Sequence, residues 1–534
     1  MSNKLSTKLL HIFNLCTHWM DSSLFFRGFS AVLNFIKNLW GRSFIAKAFV
    51  GDIQPLEKAV TASIFVKLLD RLLNGFSKPL SSPAHWYEKT SAYLANSWLV
   101  SNLCNHMDVP IPPPGKAAEI KGIKQFLQWA LFAFPALGVA AILFAVPFLP
   151  TMILGGALVP ILFFIFFSRQ FVISPTVVFL FIFMIISAIV AVTSLAPASS
   201  IRIFLLTTVF SMSTLAVMAV ATGKQAVDFL ILIFVVSASL TGLVGLFQLF
   251  FGVRSGLWLD PELFAHIQSR ITSTFGNPNI YAAYLLLILP ITAVCVIYFK
   301  NIFLKVCAAG ATLLLLANLA LTYSRGGYVA LALSVIIFIL LIEKRLLIFM
   351  VFVAAVLPSV LPQTVLDRLL SIVNFADTST IFRMSIWQGS LRMARDFWLS
   401  GVGQGLEAYH TVYPYYALAA AGTLHSHNLF LQTFVEIGVG GFVVFIAILA
   451  CFFREMSYFW RRTNELRLKL MSSAIIVGMI GFLVQSFFDY TFFNFSLILT
   501  FYLFIGLGLA FVRVYGQPQE IVDIPTESQF VSGY

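Results

Sequence analysis

From residue 129 to residue 512 the chain is a succession of apolar runs of roughly twenty residues, each long enough to cross a bilayer as a helix. The stretch 177–192 is apolar at every position but Ser187. A transmembrane barrel would instead alternate polar and apolar residues along strands of about ten residues, so an unbroken run calls for a helix that satisfies its own backbone. Composition agrees, with 59% hydrophobic residues, 10% charged residues and 56 Phe in 534 positions. No large soluble domain fits beyond the first 125 residues, and soluble-enzyme folds are excluded. The expected fold class is all-α: a polytopic membrane helical bundle of about 12 transmembrane helices. The spans are placed near 129–148, 151–168, 175–195, 202–221, 227–250, 279–299, 303–322, 326–342, 346–361, 428–453, 470–488 and 492–512.

The charges between spans set the orientation, because Lys and Arg are retained on the cytoplasmic side. With the N-terminus inside, the inner loops and tail hold Arg169, Lys224, Lys300, Lys305, Lys344, Arg345, Arg454, Arg461, Arg462, Arg467, Lys469 and Arg513. The much longer outer segments hold only Arg202, Arg254, Arg270, Arg325, Arg368, Arg383, Arg392 and Arg395. Both termini are therefore read as cytoplasmic. The chain divides into a basic, amphipathic interfacial region 1–125, a transmembrane domain 126–515 with outer loops 252–278 and 362–427, and a cytoplasmic tail 516–534. The net charge of +12 is scattered between spans, which fits lipid topology and gives no stripe for nucleic acid. Five cysteines without a CxxC pair support neither a disulfide framework nor a zinc site.

The first 125 residues carry 14 basic and seven acidic side chains. Phe25, Phe29, Val32, Leu33, Ile36, Leu39 and Trp40 recur at helical spacing opposite Arg27, Asn34 and Lys37, as expected of a helix lying on anionic membrane lipids. No signal peptide is evident, and VPIPPPG at 109–115 reads as a stiff linker. His85 and His106 read as surface or interface residues.

The outer face carries the chemistry. All eight of its basic residues are Arg, although Lys is plentiful elsewhere. A planar guanidinium holds two phosphate oxygens at once, so this bias points to an anionic ligand, whereas any single Arg at a helix end can simply snorkel. Within the long loop, 381–397 reads as an amphipathic helix with Ile386, Leu391 and Phe397 on its apolar side. Arg392 and Asp396 stand at i,i+4 and suit a surface ion pair, which leaves Arg383 as the better ligand-binding candidate. Tyr409, Tyr413, Tyr415 and Tyr416 read as an interfacial belt rather than a sugar groove.

Five stretches together resemble a known family: RITSTFGNPNI at 270–280, TYSRGGY at 322–328, FRMSIWQGSL at 382–391, SGVGQGL at 400–406 and HSHNLFLQ at 425–432. They are similar to the O-antigen ligase-related membrane family, which includes O-antigen ligases, O-antigen-type polymerases and bacterial protein O-glycosyltransferases. The similarity covers roughly 225–515. Its most specific element is His427-Asn428, nine residues and then Gly438-Val439-Gly440-Gly441, which fits the ligase motif. The long basic N-terminal region departs from the family pattern.

The resemblance implies transfer of a glycan from an undecaprenyl-pyrophosphate carrier to an acceptor on the periplasmic side of a bacterial inner membrane. The acceptor is a glycan, lipid A core or a protein. Cleaving a sugar–pyrophosphate bond develops dense negative charge, which a metal or fixed cations must neutralise. Arg270 and Arg325 are similar in position to the family's phosphate-binding arginines, and Arg383 and His425 are further substrate-binding candidates. His427 is the candidate catalytic base or acceptor-orienting group, since a histidine is the usual base near neutrality. The plain alternative for His425 and His427 is capping or interface packing at a helix start. No cofactor and no metal are expected, although His425, His427 and Asp489 are a conceivable ligand set. Direct displacement would invert the anomeric centre. Gly326 and Gly327 read as helix-packing residues and Gly276 as a turn. The rival reading from another class is an anion (inorganic carbon) transporter, which should carry ionisable groups near the bilayer midplane and matching broken helices. Gln248 is the nearest polar residue to a span centre.

Overall fold

The computed structural model describes residues 43–74, 134–168, 171–251, 270–373, 378–418 and 422–516, together with Ala31 and Asn38. The expected helix around 25–40, the 109–115 linker, His85, His106, Arg254 and the tail beyond 516 lie outside the described residues. Everything regular within them is helical. Three short helices come first: α1 Phe44–Val50, α2 Gln54–Ala62 and α3 Ile64–Asn74. The bundle follows with α4 Phe134–Ala145, α5 Thr151–Ser168, α6 Pro175–Val192, α7 Pro197–Val220 and α8 Lys224–Phe250. Next come α9 Pro278–Tyr298, α10 Ile302–Leu321, α11 Arg325–Ile342 and α12 Leu347–Val360. The segment after α12 contains α13 Gln363–Leu370, α14 Thr378–Asp396 and α15 Leu406–Val412. The chain then returns through α16 Leu429–Arg462, α17 Leu466–Phe488 and α18 Phe495–Gly516.

Nine of these helices, namely α6 to α11 and α16 to α18, are long and apolar enough to cross a membrane among the described residues. Helices also occupy the other three expected spans, but α4, α5 and α12 are shorter or interrupted by proline at 160 and 358. The finding is thus a polytopic helical membrane protein with nine clear spans.

The starts of the helices follow from local chemistry. Ser174, Asn277, Asn301, Ser324 and Asn428 each accept a hydrogen bond from a backbone N–H of the first turn, satisfying donors that have no helical partner. Proline at the first position of α6, α7 and α9 costs no hydrogen bond there and fixes φ for helix. Helices α9 and α17 form the most intimate pair, and α18 lies against α7. Their backbones approach closely at glycine: a Cβ on Gly478 would stand 2.5 Å from the Leu287 carbonyl oxygen, and one on Gly506 would stand 2.9 Å from that of Thr214. Outward faces such as Phe163, Ile189, Val306, Leu313 and Val351 stay exposed, as lipid-facing residues do.

The two ends of the bundle differ. At one end, α1 to α3 dock beside the basic last turns of α16 and the segment before α6: Gln54 Nε2 donates to Tyr458 Oη at 2.7 Å, and Asn74 exchanges two hydrogen bonds with the backbone of Phe171. Arg454 donates to the Asp52 carbonyl at the same end. The opposite end gathers the 194–200, 270–278, 322–325, 363–373, 378–418, 422–428 and 489–494 segments. Within it, α14 bears out the amphipathic reading in part. Ile386, Met393 and Ala394 are buried against Tyr409 and Tyr413, whereas Leu391 points outward. Tyr409 and Tyr413 stack on each other with centroids 5.1 Å apart and are fully buried, so they form a small core and not a belt. Among the described ion pairs Arg392–Asp396 is not formed; Asp396 accepts from Tyr416 Oη at 2.8 Å. Gln248 lies near the end of α8, where its amide meets the backbone of Thr272 and Ser273.

Candidate active site

The His425–Asn428 segment is a tight turn that ends where Asn428 caps α16 through a hydrogen bond from Leu431 N at 3.0 Å. Asn428 therefore does the capping, and His427 is free for other work. His427 has φ +52°, a conformation uncommon outside glycine and asparagine. The turn is pinned from below: Ser426 N donates to Gln432 Oε1 at 2.7 Å, and His427 N donates to His425 Nδ1 at 3.2 Å. This aims the His427 ring at Asp489, the residue that ends α17. His427 Nδ1 lies 3.1 Å from Asp489 Oδ1. With Nδ1–H donated to the carboxylate, Nε2 is left with its lone pair for an outside proton.

Asp489 is itself held. Its Oδ1 accepts from Tyr490 N at 2.9 Å, and its Oδ2 accepts from Asn279 Nδ2 at 2.9 Å. Burial alone would raise its pKa, but the hydrogen bond from His427 and the positive charge of Arg383 outweigh it and push the pKa well below the usual carboxylate range. The carboxylate is ionised at neutral pH. His425 goes the other way: burial, the adjacent His427 and Arg383 push it down to about 4 against a smaller opposing pull from Asp489. It is neutral at pH 7, and since its Nδ1 accepts from His427 N, its proton sits on Nε2.

Asn279 links this pair to the arginines. Arg270 is buried; its Nη2 donates to Asn279 Oδ1 at 3.2 Å and its Nε to the Thr322 carbonyl at 2.8 Å. Arg368, from α13, is also buried and donates through Nε to the Tyr323 carbonyl at 3.2 Å. Arg383, from α14, makes no hydrogen bond or ion pair among the described residues, yet it lies close enough to act on the charges of Arg270, His425 and Asp489. Burial first, then repulsion by Arg368 and Arg383, pushes the Arg270 pKa down to about 9. Arg383 and Arg270 thus act on the Asp489 carboxylate, and Arg368 adds its charge beside Arg270.

Arg325 stands apart from that group. It reaches the carbonyl of Ser371 and the hydroxyl of Thr380, both at 3.4 Å, and so ties α11 to the segment that carries Arg383. Of the residues picked from sequence, Arg270, Arg383, His425 and His427 come together, and Arg325 holds the rim. Asp489 and Arg368 complete the cluster. The sequence offered Asp489 beside His425 and His427 only as a conceivable metal ligand, 62 positions from His427, and Arg368 only as one among eight outer arginines. Gly326 and Gly327 are packing positions as expected, since a Cβ on Gly326 would stand 2.5 Å from Gln485 Oε1.

His425, His427 and Asp489 also offer ligand atoms that all lie within 4.8 Å of one another, a set able to hold a metal ion. Two observations weigh against that use. His425 Nδ1 already accepts from His427 N, and the nearby guanidiniums oppose a cation.

The loop after α14 braces the histidine helix. Helix α16 is broken at Gly438, with φ +68° and ψ −175°. The carbonyls freed there are taken up by Val402 N, to Val435 O at 3.0 Å, and by Gly403 N, to Glu436 O at 3.1 Å. In return Val439 N donates to Trp398 O at 2.7 Å. The SGVGQG and GVGG stretches are therefore two halves of one joint. Irregular backbone at membrane depth survives only when protein satisfies it in this way.

A family model described as O-Antigen ligase matches residues 310–446, about a quarter of the chain. The matched segment includes Arg325, Arg368, Arg383, His425, His427 and the Gly438 joint; Arg270 and Asp489 fall outside it. The chain is similar to an O-antigen ligase-related family over that segment, in agreement with the motifs. No curated protein matches the chain.

Proposed function

We propose that the protein is a membrane glycosyltransferase that moves a glycan from an undecaprenyl-pyrophosphate carrier to an acceptor hydroxyl on the outer face of the bacterial inner membrane. The observation that supports it best is a His427–Asp489 pair set beside three clustered guanidiniums, Arg270, Arg368 and Arg383. The family match supports glycan transfer of the ligase or polymerase kind.

In this reading the diphosphate of the donor lies against Arg383 and Arg270, with the anomeric carbon towards His427. The acceptor oxygen attacks that carbon while the bond to the diphosphate oxygen breaks and its electron pair stays on the diphosphate. The acceptor proton passes to His427 Nε2, and Asp489 stabilises the imidazolium that results. The arginines balance the charge that develops on the leaving group, which is the task a metal would otherwise perform. One displacement inverts the anomeric centre. The reaction is therefore proposed as inverting and metal-independent, and the acceptor as lipid A core, another glycan or a protein hydroxyl.

The test is glycan transfer by purified protein in liposomes from an undecaprenyl-pyrophosphate oligosaccharide, with EDTA present, comparing wild type with His427→Ala. Transfer that survives chelation and vanishes in the variant is the expected result. Loss of transfer on chelation, restored by a divalent ion, would move the three ligand residues to a metal role. Absence of transfer to all three acceptor classes would overturn the glycosyltransferase reading, and anion flux in the same liposomes would then test the transporter.

A further inference from the structure

Beside the joint at Gly438 lies a cavity of about 560 Å³, lined by Glu436, Ile437 and Tyr490 among others. His425 packs on Tyr490 and Phe493 with centroids 5.5 and 5.3 Å apart, and those same two rings line the cavity. His425 thus lies one side-chain layer from the cavity. The cavity is amphipathic. Its floor holds Glu436, Gln404, Thr433 and Tyr490, each more than nine-tenths buried, and its walls are apolar, with Phe183, Phe445 and Phe492 among them. Glu436 accepts through Oε1 from Gln432 Nε2 at 2.9 Å and from Tyr490 Oη at 3.4 Å. The mouth carries Met152 and an exposed pair, Arg202 with Glu407 at 3.8 Å.

The joint delivers a carboxyl, an amide and two hydroxyls to one end of an otherwise apolar cavity. Each already has a partner within the protein, Thr433 Oγ1 donating to Leu429 O at 2.8 Å and Gln404 Nε2 to Ser187 O at 3.5 Å, and each keeps capacity for a further hydrogen bond. Among the described lining residues the one cation is Arg202, at the rim and already engaged. This is the reverse of the arginine-bearing side near Asp489, and a phosphate placed beside Glu436 would be buried with no free cation among the described lining residues to pair with it. We infer that the cavity is a second ligand site, for an uncharged, hydroxyl-bearing amphipath whose head meets Glu436, Gln404 and Tyr490 while its apolar tail follows the phenylalanine wall. The inference stands without the glycosyltransferase reading, since it uses none of the residues assigned to transfer.

The experiment uses the full chain in lipid nanodiscs and two photoreactive probes: a monoacylglycerol with a diazirine in its acyl chain, and the same chain bearing a phosphate head. The expected result is labelling of the 199–207, 433–445 and 490–498 peptides by the neutral probe, at least about tenfold above the phosphate probe. Glu436→Gln, which keeps a polar head-group partner, should preserve labelling by the neutral probe, and Glu436→Leu should reduce it. Thr207→Trp, which fills the void, should remove both. Equal labelling by the two probes in the wild type would overturn the inference and leave the cavity to ordinary bilayer lipid. Labelling indifferent to Thr207→Trp in a protein that still elutes as a single species would do the same. The head-group comparison needs no variant, so it holds even where the tryptophan misfolds the chain.

Discussion

Asp489 ends α17 with its Oδ1 3.1 Å from His427 Nδ1, and so joins the last turn before α16 to the last turn of its neighbour. The carboxylate fixes which ring nitrogen carries the proton. Asp489→Asn keeps the size of the side chain but offers an amide that can donate to Nδ1 and so favours the wrong tautomer. We expect turnover to fall by roughly a hundredfold to ten-thousandfold, with donor KM little changed. Single-turnover transfer in liposomes measures it, and an unaltered rate would remove Asp489 from the mechanism.

Arg383 and Arg325 should separate into two roles. Arg383 has no described partner and faces the site, so Arg383→Ala should raise donor KM at least about tenfold. Arg325 holds Ser371 and Thr380, so Arg325→Lys, which keeps the charge but loses the fork, should speed amide exchange across 371–380. Hydrogen exchange and donor titration on the same two variants distinguish the roles. A donor-affinity loss in Arg325→Lys with unchanged exchange would return that residue to phosphate binding.

His425 makes stability depend on pH. Its folded pKa of about 4 lies below the ordinary value of 6.5, so the unfolded chain binds the extra proton between those values. Its contribution is complete above pH 6.5 and is lost as the pH falls towards 4, at up to about 1.4 kcal/mol per pH unit. Thermal unfolding of detergent-solubilised wild type should drop between pH 7 and pH 5 by more than that of His425→Gln. Parallel curves would show that the histidine is not neutral in the fold.

Two glycines of the joint should be irreplaceable, and a third beside them should not. A Cβ on Gly401 would stand 2.3 Å from the Glu436 carbonyl oxygen, and one on Gly438 would stand 2.3 Å from that of Leu399. Both residues also have positive φ. Alanine at either should cost about 2 kcal/mol or more and open the joint. A methyl added at Gly440 would meet nothing within 4 Å, so Gly440→Ala is the control. It should stay within about 0.5 kcal/mol of wild type in chemical or thermal unfolding.

The bundle was readable because lipid imposes a one-dimensional rule: a long apolar run must be helical. The nine clear spans and the grouping of Arg270, Arg383, His425 and His427 at one end follow that rule. What the rule could not supply was pairing across the bundle. Asp489 meets His427 only because α16 and α17 pack side by side, and Arg368 enters because α13 turns back over the Thr322–Arg325 segment. Leu391 failed for a related reason. The apolar side of α14 faces a small core built by Tyr409 and Tyr413, so which residues are buried depends on a contact within the loop and not on lipid. Glu436 reads in the sequence only as an ionisable residue near a span end; the void beside it exists because two distant glycine-rich stretches share one break.

Three non-glycine residues hold positive φ in the described chain: Ser273, Tyr323 and His427, at +48°, +50° and +52°. Each stands just ahead of a helix that starts at the active end, and each departs from the backbone that L-residues prefer. Glycine would relax Ser273 and Tyr323 at once, so Ser273→Gly and Tyr323→Gly should lose less stability than the side-chain contacts they forfeit would predict. The same exchange would loosen the turns that carry the Arg270 and Arg368 contacts. Durability in the bilayer and sharpness of the site therefore pull in opposite directions here, and screening this protein for heat resistance alone should select variants that persist longer and turn over more slowly.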